Sequence, residues 1–351
     1  MSMVDRTNRF SNGQSRRSFL AAAGVGTTAA FAGCLDASLG NGGDDSDLVL
    51  VTAESGTGSY TASQGIASTV DNNADEIGLS AEPSSGTEDN IGRLDRGEAD
   101  IAMLQNRSAD AAVADEEPFD DLDFDVQQVV NYHDLPWLFV TYHEWTSIED
   151  IESGSRISPT PGDSGTSRTL TDALEYVLDE DDYDRNSIAY DEQSGSFEEG
   201  QLDVGVVTIS NFDFEASWVE EMKSNSDTYV LEWPDEIAEE LEADDSIPTG
   251  TIDMTTDELD GYAHAPDEAL AINIPYNFVV RDDLEYDYVY EFLETLHEYR
   301  EEMEDDHPYL SYYMDDEWWT TRMYDDMPFH PAAADFYEEL GVWDDDFVRG
   351  D

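Results

Sequence analysis

The sequence predicts an α/β protein made of two similar halves, and two observations carry this prediction. Short apolar runs such as residues 48–51 alternate with helical segments, which is typical of parallel sheets covered by helices. A loop of small residues follows the first run of each half, at 55–60 and again at 162–167. Ligands bind beside such loops, at the carboxyl ends of the strands. We therefore expect two lobes that each present a helix N-terminus to a shared cleft.

Acidic residues dominate the chain: 84 Asp and Glu face 15 Lys and Arg, for a net charge of −69. Such a charge repels nucleic acid and anionic lipid, so neither is an expected partner. High charge is also typical of disorder. However, 39% of the residues are hydrophobic and 11% are aromatic, which is enough for cores. We favour a folded protein from a high-salt environment, because about 1 M salt screens charges within about 3 Å.

The first 33 residues are predicted to be an export signal. The Arg16-Arg17 pair precedes an apolar stretch, Phe19 to Gly33, which falls short of the roughly 20 residues that span a bilayer. The pattern is similar to a twin-arginine signal, and the sequence that ends at Cys34 resembles a lipoprotein cleavage box. We expect a lipid on Cys34, the chain's one cysteine, the alternative being an accidental cysteine. Residues 34–47 are predicted to be a flexible tether.

In the first half, strands and helices alternate along the chain. The apolar run at 48–51 predicts a strand, and a helix begins near Tyr60 after the small-residue loop. A second strand, a second helix and a third strand are predicted at 78–83, 88–97 and 99–104. Residues 126–142 are predicted to form one or two strands that pass between the lobes.

The second half repeats the alternation. Strands are predicted at 156–158, 188–190, 202–210 and 229–233, and helices at 168–178, 215–222 and 235–241. Two separate strands, at 269–274 and 278–280, lead back toward the first lobe. A long amphipathic helix at 286–303 and a final helix that ends near Gly341 complete the chain.

Five motifs together resemble those of one receptor family. They are SGTGSY at 55–60, SGTEDN at 85–90, AMLQ at 102–105, GDSGT at 162–166 and the segment 328–341. In this order they are similar to the motifs of TAXI-type solute receptors of TRAP transporters. Two departures stand out: Glu54-Ser55 replaces the Gly-Gly pair that is frequent in the family, and Ala332 replaces a frequent Gly.

The resemblance implies a type II periplasmic-binding-protein-like fold of two α/β lobes. It also implies an exported receptor that closes on a small organic anion, of the glutamate, glutamine or dicarboxylate class, and delivers it to a TRAP membrane permease. No cofactor is implied. We expect lobe I to comprise residues 48–137 and 270–351, and lobe II residues 138–269.

Hydroxyl, amide and free backbone N–H groups at the loops and strand ends are the expected ligand contacts, since such groups suit an anion. The candidates are Ser55, Gly56, Thr57, Gly58, Ser59, Tyr60, Ser85, Gln105, Ser164, Gly165, Thr166, Ser167 and Asn211. For Gln105 and Asn211, ordinary turn chemistry is an equal alternative. Arg168 is a further charge partner unless its side chain points away from the cleft.

The aromatic and histidine residues give weaker indications of a site. Tyr132, Trp137 and Phe212 are either walls of the cleft or core residues, and His330 is expected to pack at the start of the final helix. The chain shows no defensible Ser/His/Asp set and no metal-ligand spacing, which favours a binding protein over an enzyme. A sensory or scavenging receptor of the same fold is the second hypothesis. A permease encoded next to this chain would favour transport, and a sensor kinase there would favour signalling.

Overall fold

Eleven strands form one mixed sheet in the computed structural model, which describes residues 46–160, 162, 165–244 and 246–351. The export signal, Cys34, nearly all of the tether and Ser164 lie outside these residues, so the predictions made for them stay predictions. The strands are β1 (Asp47–Val51), β2 (Gly78–Glu82), β3 (Ile101–Gln105), β4 (Val126–Thr141), β5 (Arg156–Ile157), β6 (Asp184–Arg185), β7 (Val204–Ser210), β8 (Phe214–Glu215), β9 (Tyr229–Val230), β10 (Thr249–Asp253) and β11 (Glu268–Arg281).

Ten α-helices cover the sheet within the described residues. They are α1 (Gly58–Asn73), α2 (Thr87–Asp95), α3 (Asn106–Val113), α4 (Gly165–Leu174), α5 (Tyr190–Glu198), α6 (Ser217–Asn225), α7 (Asp235–Glu242), α8 (Tyr286–Glu298), α9 (Arg300–Glu304) and α10 (Pro331–Leu340). Short 3-10 helices lie at Ile148–Asp150, Glu180–Asp182, Asp257–Leu259, Pro308–Met314 and Asp316–Thr320.

The sheet has two parallel blocks joined by two long antiparallel strands. Its main order is β2-β1-β3-β11-β4-β7-β5-β6. β1 pairs in parallel with β2 and β3, and β5 pairs in parallel with β6 and β7. We call the side that carries β1–β3 the first half and the side that carries β5–β7 the second half. The α/β fold predicted from the sequence is confirmed.

Strands β4 and β11 run through both halves. They pair antiparallel along their length, from Trp137 opposite Ile272 to Val126 opposite Arg281. Side chains of β4 up to Tyr132 pack into the apolar clusters of the first half, and those from Trp137 onward pack into the clusters of the second half. Residues 133–136, which lie between these two positions, are therefore where the halves meet. The lobe boundaries given above stay a prediction.

Several sequence predictions need correction. The helix predicted at 168–178 is α4, which begins at Gly165 and ends at Leu174. No strand forms at 188–190, because helix α5 begins at Tyr190 and the strand of this region is β6. The two strands predicted at 269–274 and 278–280 are one strand, β11. It absorbs Pro275 and a register shift between Tyr276 and Asn277, so the chain is not interrupted there.

The helix predicted at 286–303 is also divided, because Tyr299 ends α8 and precedes α9. The structure confirms the packing role of His330. Its ring accepts a hydrogen bond from the Ala332 backbone N–H at 3.3 Å and caps α10. That helix ends at Gly341, whose φ of 85° is the left-handed conformation typical of a helix C-terminus.

One buried ion pair stands out in a chain with a single lysine. Lys223 on α6 is paired with Glu215, and their side chains are only 7% and 2% exposed. The Lys223 ammonium also donates to the Asp260 carbonyl at 2.7 Å and lies 4.7 Å from the centre of the Tyr262 ring. The Tyr262 hydroxyl donates to Glu215 at 2.5 Å. The charges are therefore compensated inside the second half, as buried ions must be.

Candidate functional site

Thr57 caps helix α1, and its hydroxyl holds the first predicted loop in a tight turn. Its Oγ1 accepts from the Tyr60 backbone N–H at 3.2 Å and donates to the Glu54 carbonyl at 2.8 Å. Gly56 has a φ of 95°, a left-handed conformation that glycine adopts without strain. Ser55, Gly56 and Thr57 are exposed. The loop is therefore a helix-capping turn, and its outer residues face solvent.

Ser55 and Ser85, which the sequence predicts to share a site, line one open hollow of about 410 Å³. Arg93 also lines it, but its guanidinium lies 3.3 Å from the Asp89 carboxylate, which compensates its charge. All the residues of this hollow belong to the first half. It is therefore not a space that closes between the two halves.

Ser59 lies deeper and contacts a residue that the sequence did not single out. Its hydroxyl is 2.8 Å from Nε2 of His133 on β4, and both side chains are buried. The Tyr132 hydroxyl donates to the Ser59 carbonyl. Burial lowers the pKa of His133 to about 3, because no bulk water remains to solvate an imidazolium. His133 is therefore a neutral hydrogen-bonding group at neutral pH.

Two tyrosines flank the His133 ring and reach across to the second half. The ring centres of Tyr276 and Tyr309 lie 5.0 Å and 4.7 Å from that of His133. The Tyr309 hydroxyl shares a hydrogen bond of 2.9 Å with Ser210 at the end of β7, and the Tyr276 hydroxyl lies 3.5 Å from Thr166 Oγ1 on α4. Burial raises the pKa of both phenols. We call Ser59, His133, Thr166, Ser210, Tyr276 and Tyr309 the inner polar cluster.

Gln105 and Gly165 bring the end of β3 and the second predicted loop together. Gln105 ends β3 in the first half, Gly165 begins α4 in the second, and the Gln105 amide lies against the Gly165 backbone. Gln105 is buried, and its Oε1 has no hydrogen-bond partner among the described residues. A buried acceptor of this kind loses its hydration without compensation, so it is available to a ligand donor.

Asn211 follows β7 in the left-handed conformation, with a φ of 49°. Its Oδ1 accepts from the Asp134 backbone N–H at 2.8 Å, while its Nδ2 has no partner within the described ranges. The Asp134 carboxylate accepts from Asn273 Nδ2 at 2.6 Å. Burial raises the pKa of Asp134, and the hydrogen bond from Asn273 opposes that shift. Asn211 thus ties the end of β7 to the crossing strands, as turn chemistry predicts.

The other predicted contacts are not members of the inner polar cluster. Ser167 faces Arg185, whose guanidinium donates to its hydroxyl at 2.6 Å. The Tyr60 hydroxyl accepts from Gln64 along the outside of α1, and the Arg168 side chain is exposed. Gly58 packs against Tyr309, because an added Cβ would lie 2.9 Å from the Tyr309 hydroxyl oxygen.

The aromatic walls are mainly core residues. Tyr132 stacks on Phe278 with ring centres 4.3 Å apart, and Trp137 lies 5.4 Å from Tyr190. Phe212 packs against Gly250, where an ideal Cβ would be 2.3 Å from its ring. These three side chains are therefore accounted for by packing.

The inner polar cluster is better suited to binding than to nucleophilic catalysis. Ser59 and His133 have the separation of a nucleophile and its base. However, burial lowers the pKa of His133 far below the value near 7 that suits a general base. The carboxylate next to it in the chain, Asp134, is bound by Asn273. Hydroxyl and amide groups that meet between two halves are the groups that recognise a polar ligand.

Sequence reasoning missed His133, Tyr276 and Tyr309. All three are single residues inside segments assigned to strands or to the C-terminal region, and none belongs to a motif of small residues. The signal that marks them is spatial: β4, β11 and the 3-10 helix Pro308–Met314 converge at the point where the halves meet.

Comparison with known families adds one decisive match. The NMT1-like family matches residues 50–341, most of the chain. The chain belongs to the NMT1-like family. A search of curated proteins found no match.

Solved structures of low identity resemble this member of the NMT1-like family. The periplasmic aliphatic sulphonate binding protein SsuA of Escherichia coli is 11% identical over 84% of this chain and 78% of its own, with a TM-score of 0.44. A ligand-binding component of an ABC-type import system from Staphylococcus aureus, with zinc bound, is 11% identical over 86% and 96%, with a TM-score of 0.43. PhnD1 from Prochlorococcus marinus, in complex with methylphosphonate, is 10% identical over 72% and 85%, with a TM-score of 0.45.

Two further kinds of feature are absent from the described residues. None of the helices there has both the length and the apolar character needed to cross a bilayer. Among the same residues, no group of three or more His, Cys, Asp or Glu side chains is arranged to hold a metal ion.

Proposed function

We propose that this protein is an extracytoplasmic solute receptor of a transport system, and a binding protein rather than an enzyme. The observation that carries the proposal is the inner polar cluster, in which Ser59 and Tyr309 of the first half meet Thr166 and Ser210 of the second around His133. In a receptor that closes, such groups exchange their hydrogen bonds with one another for bonds to a ligand.

The two halves would act as lobes, with the crossing strands β4 and β11 as the connection between them. The change of core cluster between Tyr132 and Trp137 supports this division, because each half then has its own apolar core and can rotate as a unit relative to the other. The ligand would bind between the two halves beside the contact of Gln105 with Gly165, near the N-terminus of α4.

The finer proposal is a TAXI-type receptor of a TRAP transporter that binds a small organic anion of the glutamate or dicarboxylate class. It rests on the five motifs of the sequence and on the donors described above. Helix N-termini and hydroxyl groups stabilise an anion without a formal positive charge. We further propose export by the twin-arginine signal and a lipid on Cys34, which would hold the receptor at the outer face of the membrane.

Calorimetric titration of the purified protein in molar salt tests the ligand class. Glutamate, glutamine, 2-oxoglutarate and succinate are the first ligands to compare. One-to-one binding of one of them, weakened about tenfold or more by Thr166→Ala, is the expected result. Thr251→Ala on β10 is the matched control, because Thr251 is exposed and is not a member of the inner polar cluster. Turnover of a ligand would overturn the proposal.

Anchoring has a separate test. Cys34→Ser is expected to release the exported protein from the membrane fraction into the medium, since the thiol that would carry the lipid is lost. Equal membrane association of the wild type and Cys34→Ser would contradict lipid attachment at this residue.

A further inference from the structure

Arg168 is the one basic side chain in the described residues that has neither a hydrogen bond nor an ion pair. The other described arginines and the lysine have a carboxylate, carbonyl, hydroxyl or histidine partner. Asp and Glu outnumber Lys and Arg 84 to 15 in this chain, so an uncompensated guanidinium is unexpected. Its isolation needs a physical reason.

The position of Arg168 supplies that reason. It lies on the first turns of α4 and lines a cavity of about 490 Å³ whose walls come from both halves. Gly165 of α4 lines the same cavity, which therefore adjoins the contact between Gly165 and Gln105. A ligand in this cavity would touch the edge of the proposed binding site.

A second guanidinium lines the same cavity and belongs to the first half. Arg107 on α3 forms an ion pair of 2.5 Å with Asp172 on α4, so this pair joins the two halves. Both side chains are 42% exposed, which leaves the pair accessible to an incoming group. A carboxylate bound by Arg168 would compete with Asp172 for Arg107, and paired guanidinium donors match the two oxygens of a carboxylate.

The remaining charges in the cavity are acidic. Glu88, Asp110, Glu116 and Glu117 line its wall beside the two arginines. A ligand with negative charge alone would meet these carboxylates at short range, where molar salt screens little. A ligand that also has an ammonium group would pair both of its charges.

We propose that this cavity binds the charged groups of a zwitterionic ligand. Arg168 and Arg107 bind its carboxylate, and the acidic residues of the cavity bind its ammonium group. This inference rests on the proposed receptor function and narrows its ligand class. It assigns the recognition of charge to the arginines and the recognition of hydrogen bonds to the inner polar cluster.

Titrations of the full-length protein in molar salt test the proposal. Glutamate and 2-oxoglutarate are the probes, because they differ only in an ammonium group against a keto group. Wild-type protein is expected to bind glutamate at least about tenfold more tightly than 2-oxoglutarate, and Arg168→Gln to weaken glutamate binding about ten- to hundredfold. Arg96→Gln is the control: it removes the same charge from the exposed end of α2, where Arg96 pairs with Glu98 at 2.9 Å, and should leave affinity unchanged.

The outcomes separate this inference from the function on which it rests. Equal glutamate affinity for wild type and Arg168→Gln would overturn the role of Arg168 while the receptor function survives. Equal or tighter binding of 2-oxoglutarate by the wild type would overturn the proposal that the ligand is zwitterionic. Binding of neither probe by folded protein would overturn this inference together with the proposed glutamate class.

Discussion

The side-chain amide of Gln105 occupies the space that a Cβ atom on Gly165 would need. An ideal Cβ at Gly165 would lie 1.9 Å from Gln105 Nε2 and 2.8 Å from Gln105 Cδ. These two residues belong to different halves of the sheet, so a glycine at 165 allows the halves to approach as closely as they do. Substitutions at contacts of this kind should change ligand binding and stability in measurable ways.

Replacing Gly165 with alanine should hinder closure. The buried Gln105 amide must move or the halves must separate, and overpacking of this kind typically costs about 1–3 kcal/mol. We expect ligand binding about tenfold weaker by calorimetry, together with a larger radius of gyration by X-ray scattering. Gly195→Ala on α5 is the control, because an added Cβ there meets no atom within 4 Å. Unchanged binding by Gly165→Ala would show that this contact does not limit closure.

Tyr309 and Ser210 should couple the two halves energetically. Their hydroxyl groups share a buried hydrogen bond of 2.9 Å. Tyr309→Phe keeps the ring but leaves Ser210 without this partner, and we expect a loss of about 1 kcal/mol in the free energy of unfolding. A double-mutant cycle with Ser210→Ala should give a coupling energy of similar size. Tyr286→Phe, which removes an exposed hydroxyl bound to Asp335 at 2.8 Å, should cost less. A coupling energy of zero would contradict the prediction.

The buried His133 should make stability depend on pH. Its pKa is about 3 in the folded protein, below its ordinary value of 6.5. Between these values the unfolded chain binds a proton that the folded chain does not, so the free energy of unfolding should fall as the pH is lowered through this range. The contribution of one such group is at most about 1.36 kcal/mol per pH unit.

His133→Gln isolates this contribution. Denaturant unfolding in molar salt at about pH 7 and about pH 5 should show a shallower loss of stability for the variant than for the wild type. The comparison is between the two slopes, because the carboxylates that also titrate are common to both proteins. Parallel slopes would mean that His133 keeps its ordinary pKa in the folded state.

Salt should stabilise this protein by screening its charge. With a net charge of −69, the folded chain repels itself most strongly in dilute buffer. We expect the melting temperature to fall on the order of 10 °C or more between about 1 M and about 0.1 M sodium chloride. Sucrose at matched osmolarity is the control, since it favours compact states without screening. A melting temperature that does not change with salt would refute the screening explanation.

Local patterns predicted much of the fold, because strands such as β1 and helices such as α1 are specified by short apolar runs and capping residues. The patterns failed where long-range pairing overrides them. Pro275 suggests a break, yet β11 continues because β4 pairs with it before and after this proline. Helix α5 was missed because its sequence, YDEQSGSFE, lacks an apolar stripe, and it forms by packing Phe197 and Gln193 inward.

The site shows the same contrast between what local patterns predict and what long-range packing determines. Loop motifs led to Ser59, Gln105, Gly165 and Thr166, all of which lie where the halves meet or border that region. His133 and Tyr309 are brought to the cluster by strand register and by a 3-10 helix far along the chain. No spacing of residues in the sequence predicts that these side chains lie close together.

The burial of Lys223 makes the chain an unusual target for amine chemistry. Its ammonium is held by Glu215 and by the Asp260 carbonyl, and it is the chain's single side-chain amine. Amine-acylating reagents should therefore not modify Lys223 in the folded protein. They should modify it once α6 detaches. Pulse labelling with mass spectrometry would then count the molecules in which this one part of the second half has opened.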